Sequence, residues 1–338
     1  MNNSQPNGLI PEEQTNVAAK TKRLRGLAVA ALAGVATAAT VALRVSAAER
    51  ANPPKGAFIA VDGVRLHYVE RGAGVPIVML HGNGVSSDDF LTSGVVDRLA
   101  RAGHRVIVFD RPGFGYSERP RKRPWAPLAQ AKLVHAALKD MKVSQATIVA
   151  HSWGTLVAIA LTLSYPQDVR GLVLASGYYY PTLRADVPLM SAPAIPLIGD
   201  VLRYTTSPVL GRLLAPLLVK QLFAPAPVAE SFEQFPLAMS LRPSALRAAA
   251  ADTARMIGAA LRLQGRYAEI GVPVDIVAGS GDLVANTSLQ SARLAKAVSD
   301  GTFHPVSGAG HMVHHTAPGR IIAAVEANLA KSNFAKSA

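Results

Sequence analysis

From Ala57 onward, short apolar runs alternate with amphipathic stretches, and this alternation limits the possible folds more than any other feature. The runs "AFIAV" (57–61), "VRLHYVE" (64–70), "PIVML" (76–80), "RVIVF" (105–109), "ATIVA" (146–150), "GLVLA" (171–175), "PVDIVA" (273–278) and "TFHPV" (302–306) have the length and composition of strands. Asp62-Gly63 joins the first two, a dipeptide suited to a tight hairpin whose central residues need positive φ. From the third run onward, helical patterns at 87–101, 126–141, 155–164, 288–298 and 320–329 separate most of them. Continuously apolar strands need cover on both faces, and crossover helices supply it. The expected fold class is α/β: an eight-stranded, mostly parallel sheet with helices on both faces and an antiparallel hairpin at one edge.

The alternation lapses once, between 175 and 273. "PLMSAPAIPLIGDVL" and "SPVLGRLLAPLLVKQLF" are apolar and studded with proline, and "SALRAAAADTARMIGAALRL" then reads as helix. So long an insertion is not expected to be a bare loop. It predicts a helical cap over 178–260, which divides the core into 56–177 and 261–331.

At 338 residues, 49% hydrophobic and 17% charged, the chain can bury a large core. It contains no cysteine, which removes disulfides, thiolate metal ligands and thiol nucleophiles together. The net charge of +13 raises the question of nucleic acid or anionic membrane partners. The cations are mostly scattered, however. The cluster in "ERPRKRP" is flanked by prolines and lacks interleaved aromatics, so it reads as a solvated loop. Nucleic acid is not an expected partner.

Residues 1–25 are polar and then basic, without periodicity, and are expected to be disordered. Residues 26–43 follow without a single charge; as a helix they span about 27 Å, close to the hydrocarbon thickness of a bilayer. Three readings stay open: a transmembrane anchor, a signal peptide cleaved near "VSA" (45–47), and a soluble Ala-rich helix. Lys20, Lys22, Arg23 and Arg25 precede the run while Arg44, Arg50 and Lys55 follow it, which favours a cytoplasmic N-terminus with the main domain outside. Membrane attachment through this segment is therefore expected, and no signal points to an oligomeric state.

Ligands of open α/β sheets bind at the carboxyl ends of the strands. Five such ends carry polar or Gly-rich loops: His81-Gly82-Asn83-Gly84, "DRPGFGYS" (110–117), His151-Ser152, "GSGD" ending at Asp282 and "SGAGH" ending at His311. Ser152, Asp282 and His311 fall in the order nucleophile, acid, base. A serine hydroxyl is a weak nucleophile at neutral pH and needs an adjacent base to take its proton. Imidazole can take that proton and return it to a leaving group, and a carboxylate fixes the imidazole tautomer. The plainer alternatives are a helix N-cap for Ser152 and a turn residue for Asp282. Asp275 is a rival acid, but it lies inside the seventh run. His314 and His315 adjoin His311 in "HMVHH", where a three-His metal site lacks a carboxylate at convincing spacing. No metal and no cofactor is expected.

With these residues the sequence resembles the α/β-hydrolase superfamily, in its serine-nucleophile branch with an inserted cap, from about Ala57 to the C-terminus. The family's nucleophile elbow, G-x-S-x-G, here reads Ala150-His-Ser152-Trp-Gly154, with Ala in place of the first Gly. The resemblance implies an oxyanion hole from the backbone N–H groups of Asn83 and Trp153, with His81 shaping the loop. His-Gly-Asn and nucleophile-Trp-Gly also resemble the haloalkane dehalogenase and epoxide hydrolase branch. Those enzymes carry Asp at the nucleophile position, and serine argues against both reactions. The expectation is a cofactor-independent serine hydrolase acting on a small apolar ester-like substrate. Carbon–carbon bond hydrolysis, lactone opening, acyl transfer, perhydrolysis and a non-catalytic binding module are its alternatives. Tyr178–Tyr180 could line the pocket or pack in the core.

Overall fold

The computed structural model describes residues 11–337. All eight expected strands form: Ala57–Val61 (β1), Val64–Arg71 (β2), Val75–Leu80 (β3), His104–Phe109 (β4), Ala146–His151 (β5), Val169–Ala175 (β6), Val274–Gly279 (β7) and Gly301–Val306 (β8). They make one sheet in the order β1-β2-β4-β3-β5-β6-β7-β8. β2 pairs antiparallel with β1 and with β4, and every other pairing is parallel.

The strand period of two sorts the core into two layers. Val78 and Leu80 join one cluster, covered by helices Pro127–Asp140 and Gly154–Ser164. Ile77 and Met79 join the other, covered by Val95–Arg101 and Pro318–Ser337. The pattern at 87–101 folds as two helices, Asp88–Thr92 and Val95–Arg101, because Gly94 between them adopts φ +75°. The chain leaves β3 for β4 on one side and then crosses to β5 on the other. The loops after β3 and β5 therefore face each other where the winding reverses, the usual place for a ligand site.

The N-terminal segment differs from expectation. Residues 1–10 of the segment expected to be disordered lie outside the described residues, whereas 11–25 belong to one continuous helix, Pro11–Ala51. Pro11 suits a first helical position, and the Ala, Lys, Leu and Arg residues that follow are good helix formers. The helix is long and apolar enough to cross a membrane. Val41 and Ala48 are buried, and Glu49 pairs with Arg242 at 2.7 Å.

Between β6 and β7 the chain forms helices Val187–Ser191, Ile198–Tyr204, Thr206–Phe223, Glu230–Glu233, Leu237–Ser240 and Pro243–Leu263. Tyr178–Tyr180, just before them, pack in the core: all three are buried, and the Tyr179 and Tyr180 N–H groups donate to Gln290 Oε1 at 2.7 and 2.8 Å. "ERPRKRP" is not a uniformly solvated loop. Arg119 turns inward and donates to Asp252 at 2.8 Å, while exposed Arg121 reaches Asp200 at 2.7 Å. Both acids come from the inserted helices, which local sequence could not reveal.

Candidate active site

Ser152 follows β5 directly and has φ +51°, a conformation that non-glycine residues rarely hold. Its neighbours make the bend possible. A Cβ on Gly154 would collide with the carbonyl oxygens of Leu80 and His81, so only glycine lets the Gly154–Ser164 helix start against the end of β3. A Cβ on Gly82 would lie 2.9 Å from His151 Nδ1 and 3.1 Å from Ser152 Cβ, so the β3 loop is pressed against the serine. Ala150 is fully buried in β5.

The bend presents Ser152 Oγ to His311 Nε2 at 2.8 Å, and His311 Nδ1 lies 2.8 Å from Asp282 Oδ2. A carboxylate oxygen only accepts, so the imidazole proton sits on Nδ1 and Nε2 is left to accept from the serine hydroxyl. Asp282 Oδ1 accepts the N–H groups of Val284 and Ala285 at 2.8 and 2.9 Å, which fixes the carboxylate. The His311 loop is held by the cap: the His311 N–H donates to the Leu222 carbonyl at 2.9 Å. Asp275, the rival acid, is engaged elsewhere. It is buried in β7 against His304, Asn328 and Lys331, at 2.8, 3.0 and 3.1 Å.

Asn83 and Trp153 lie on the two loops that meet beside Ser152. Among the described residues, neither backbone N–H is used in a hydrogen bond. Their side chains reach the Pro243–Leu263 helix instead. Asn83 Nδ2 donates to Thr253 Oγ1 at 2.9 Å and to the Ala249 carbonyl at 3.1 Å; Trp153 Nε1 donates to the Asp252 carbonyl at 3.1 Å. The same helix carries Asp252, fully buried, which accepts from Arg111 at 2.7 Å and from Arg119. Arg111 also donates to the carbonyls of His81 and Gly82, both at 2.8 Å, and lies over the Trp153 ring at 4.6 Å. Burial, and next the Arg111 charge, push the His81 imidazole down to about 4. It is therefore neutral: Nε2 accepts the Arg111 N–H at 2.9 Å and Nδ1 donates to Gly82 O at 2.8 Å.

Sequence reasoning did not find Arg111 and Asp252, nor the acid that answers the extra histidines. Asp89, fully buried, accepts from His314 Nε2 at 2.9 Å and from His315 Nε2 at 3.0 Å. His315 Nδ1 in turn accepts from Ser231 Oγ at 2.9 Å. His151 Nε2 donates to the His311 carbonyl at 3.1 Å. The carboxylate that the "HMVHH" spacing lacked thus comes from "SSDDF". Burial lowers His151 and His314 below the ordinary imidazole range. Burial alone would raise Asp89, but His314 and His315 hold it well below the usual carboxylate range. Asp89, His151 and His314 bring ligand atoms within 4.8 Å of one another, close enough to share a cation. Both Asp89 oxygens are taken by His314 and His315, while the Nδ1 atoms of His151 and His314 are buried without a hydrogen-bond partner among the described residues.

The sequence profile of the alpha/beta hydrolase fold family matches residues 75–318, so the chain belongs to that family. A haloalkane dehalogenase of Mycobacterium marinum is 32% identical over 45% of this chain and 50% of its own length. The chain spans about half the length of such curated relatives. An alpha/beta hydrolase fold protein from Burkholderia ambifaria has a similar structure, with TM-score 0.67 and 24% identity over 80% of this chain and 96% of that one. A membrane phospholipase A superposes with TM-score 0.63 at 21% identity, over 94% of this chain and 99% of that one. At these identities the two structures speak to the fold.

Proposed function

We propose that this chain is a serine hydrolase that cleaves an ester-like bond in a small apolar substrate through an acyl-enzyme. The observation that carries the reading is the relay from Ser152 Oγ to His311 Nε2 and from His311 Nδ1 to Asp282, each step 2.8 Å, with the serine on a positive-φ bend. Ser152 Oγ attacks the carbonyl carbon as its proton passes to His311 Nε2. Asp282 holds the imidazole tautomer and stabilises the imidazolium. The oxyanion lies against the Asn83 and Trp153 N–H groups, where each donor is worth about 10²–10³-fold in turnover. His311 then protonates the leaving alkoxide. A water, deprotonated by the same imidazole, releases the acid and restores Ser152.

Serine at position 152 also separates the chain from the chemistry named for its dehalogenase relatives, since a hydroxyl needs an acyl carbon for this relay. Apolar residues dominate the inserted helices, which favours an apolar substrate. The Pro11–Ala51 helix supports attachment to a membrane with the main domain outside the cytoplasm.

Turnover of nitrophenyl esters and lactones by wild type and Ser152→Ala, with fluorophosphonate labelling alongside, tests the reading. Ser152→Ala should lose about 10⁴-fold or more in kcat and all labelling. A wild-type protein that neither turns over nor labels would overturn it.

A further inference from the structure

The outer face of the cap has the wrong polarity for water. Leu183, Leu189, Leu197 and Val201 are each at least 64% exposed. On the Thr206–Phe223 helix, Leu210, Leu213, Leu214 and Leu217 are exposed as well, at spacings of three and four that draw one stripe along the helix. Ala215 and Phe223 of the same helix are buried, so a second apolar side faces inward. Soluble monomers rarely expose apolar patches beyond a few hundred Å².

The neighbour of this face indicates what covers it. The N-terminal helix passes beside it, and Thr37, Val41 and Val45 line one groove with Pro208, Val209 and Arg212. Over its uncharged stretch, residues 26–43, that helix is apolar around its whole circumference and mostly exposed. A second protein copy would cover one side of such a helix, whereas lipid covers all sides. The medium that surrounds it at Thr37–Val45 meets the start of the cap stripe at Val209. Arg44 and Arg212 are exposed at this same level, where long cations can reach headgroups while their stems lie in apolar surroundings.

We infer that the cap's outer face, from Val187–Ser191 through Thr206–Phe223, is seated in the bilayer that the N-terminal helix crosses. Resting on the serine hydrolase reading, it follows that acyl esters dissolved in the lipid are the substrate class. The stripe helix runs directly to the site, since the Leu222 carbonyl near its end accepts the His311 N–H.

The absence of cysteine allows single fluorescent labels on the full chain. Leu213→Cys, Leu217→Cys and, as a control on the core surface, Lys139→Cys would each carry an environment-sensitive dye in phosphatidylcholine vesicles with doxyl-labelled acyl chains. Dyes at 213 and 217 should be blue-shifted and quenched by doxyl lipid, and the dye at 139 quenched only by aqueous iodide. A water-like, iodide-quenched dye at 217 overturns the seating. So does a dye shielded from both quenchers until protein is diluted in lipid, because a second copy then covers the face. The Leu213→Asp/Leu217→Asp double variant should leave a short water-soluble ester within about twofold and slow a long-chain ester in vesicles at least about tenfold. Equal effects on the two esters overturn the lipid route. Failure of the hydrolase reading would appear separately, as a wild type inert toward both esters with the dye readings intact.

Discussion

The rim of the sheet and the outer face of the cap obey opposite rules. At the rim, the buried charges are matched: Asp89, Asp252 and Asp282 each engage both carboxylate oxygens, and His81 uses both ring nitrogens, while the Nδ1 atoms of His151 and His314 are buried without a hydrogen-bond partner among the described residues. On the cap, large apolar side chains face outward and are exposed. The rim is determined from inside, because a buried charge without partners costs several kcal/mol and the fold must supply them. The cap face makes sense only with its surroundings included. One helix, Pro243–Leu263, ties the two regions together, and cutting that tie is the strongest way to test whether they are separable.

Asp252→Ala removes the acid that Arg111 and Arg119 share. Both arginine side chains are nearly inaccessible, and breaking such a buried pair costs about 3–5 kcal/mol. Chemical unfolding in detergent should show that loss, with turnover falling as well because Arg111 holds the His81 and Gly82 carbonyls. A loss below about 1 kcal/mol would mean that those carbonyls and Gln130 suffice for Arg111, and that the cap stays docked through its other contacts, such as Asn83 to Thr253 and Trp153 to the Asp252 carbonyl.

This tie also marks the boundary of what the sequence reveals. Strands and elbow were legible because each is a local pattern, alternation or a glycine at fixed offset, and the relay residues were picked out as polar residues just after apolar runs, in the order that the family resemblance implies. Arg111–Asp252 and Asp89–His314 join residues 141 and 225 positions apart, and a single acid in an Ala-rich helix carries no local mark. The leucine spacing at 210–217 announces a stripe, yet amphipathic periodicity alone cannot tell which medium the stripe faces. The basic residues before the membrane-length run suggested disorder although their helix propensities pointed the other way.

Acid offers a second, smaller probe, because it acts on the rim and leaves the cap's leucines untouched. His81 is pushed from an ordinary value of 6.5 to about 4. The unfolded chain therefore binds a proton near pH 6.5 that the folded chain refuses until about pH 4. Stability from this group is complete above the unfolded pKa and declines as pH falls through that window, by about 3 kcal/mol in all. His151, His314 and Asp89, all shifted downward, act in the same direction. Comparing His81→Gln with wild type isolates the one group: between pH 8 and pH 5 the wild type should lose about 2 kcal/mol more than the variant. Parallel losses would place the acid sensitivity in the Asp89 cluster instead.

The smallest effect concerns the one place where the elbow departs from its family pattern. Ala150 stands where the pattern has glycine, and its methyl group is fully buried in the layer beneath the Gly154–Ser164 helix. If the bend needs only a small residue there, Ala150→Gly loses a buried methyl and gains unfolded-state freedom, about 1–2 kcal/mol together, while kcat stays within about twofold. If the methyl instead forces Ser152 away from its best angle, the same substitution raises kcat despite the lost stability, and the rim has exchanged rate for rigidity. Paired kcat and unfolding measurements on this single variant separate the two, and the first outcome is expected. The collisions around the serine are set by Gly82 and Gly154, where a Cβ meets neighbouring atoms, whereas the Cβ at 150 is already accommodated in a closely packed layer.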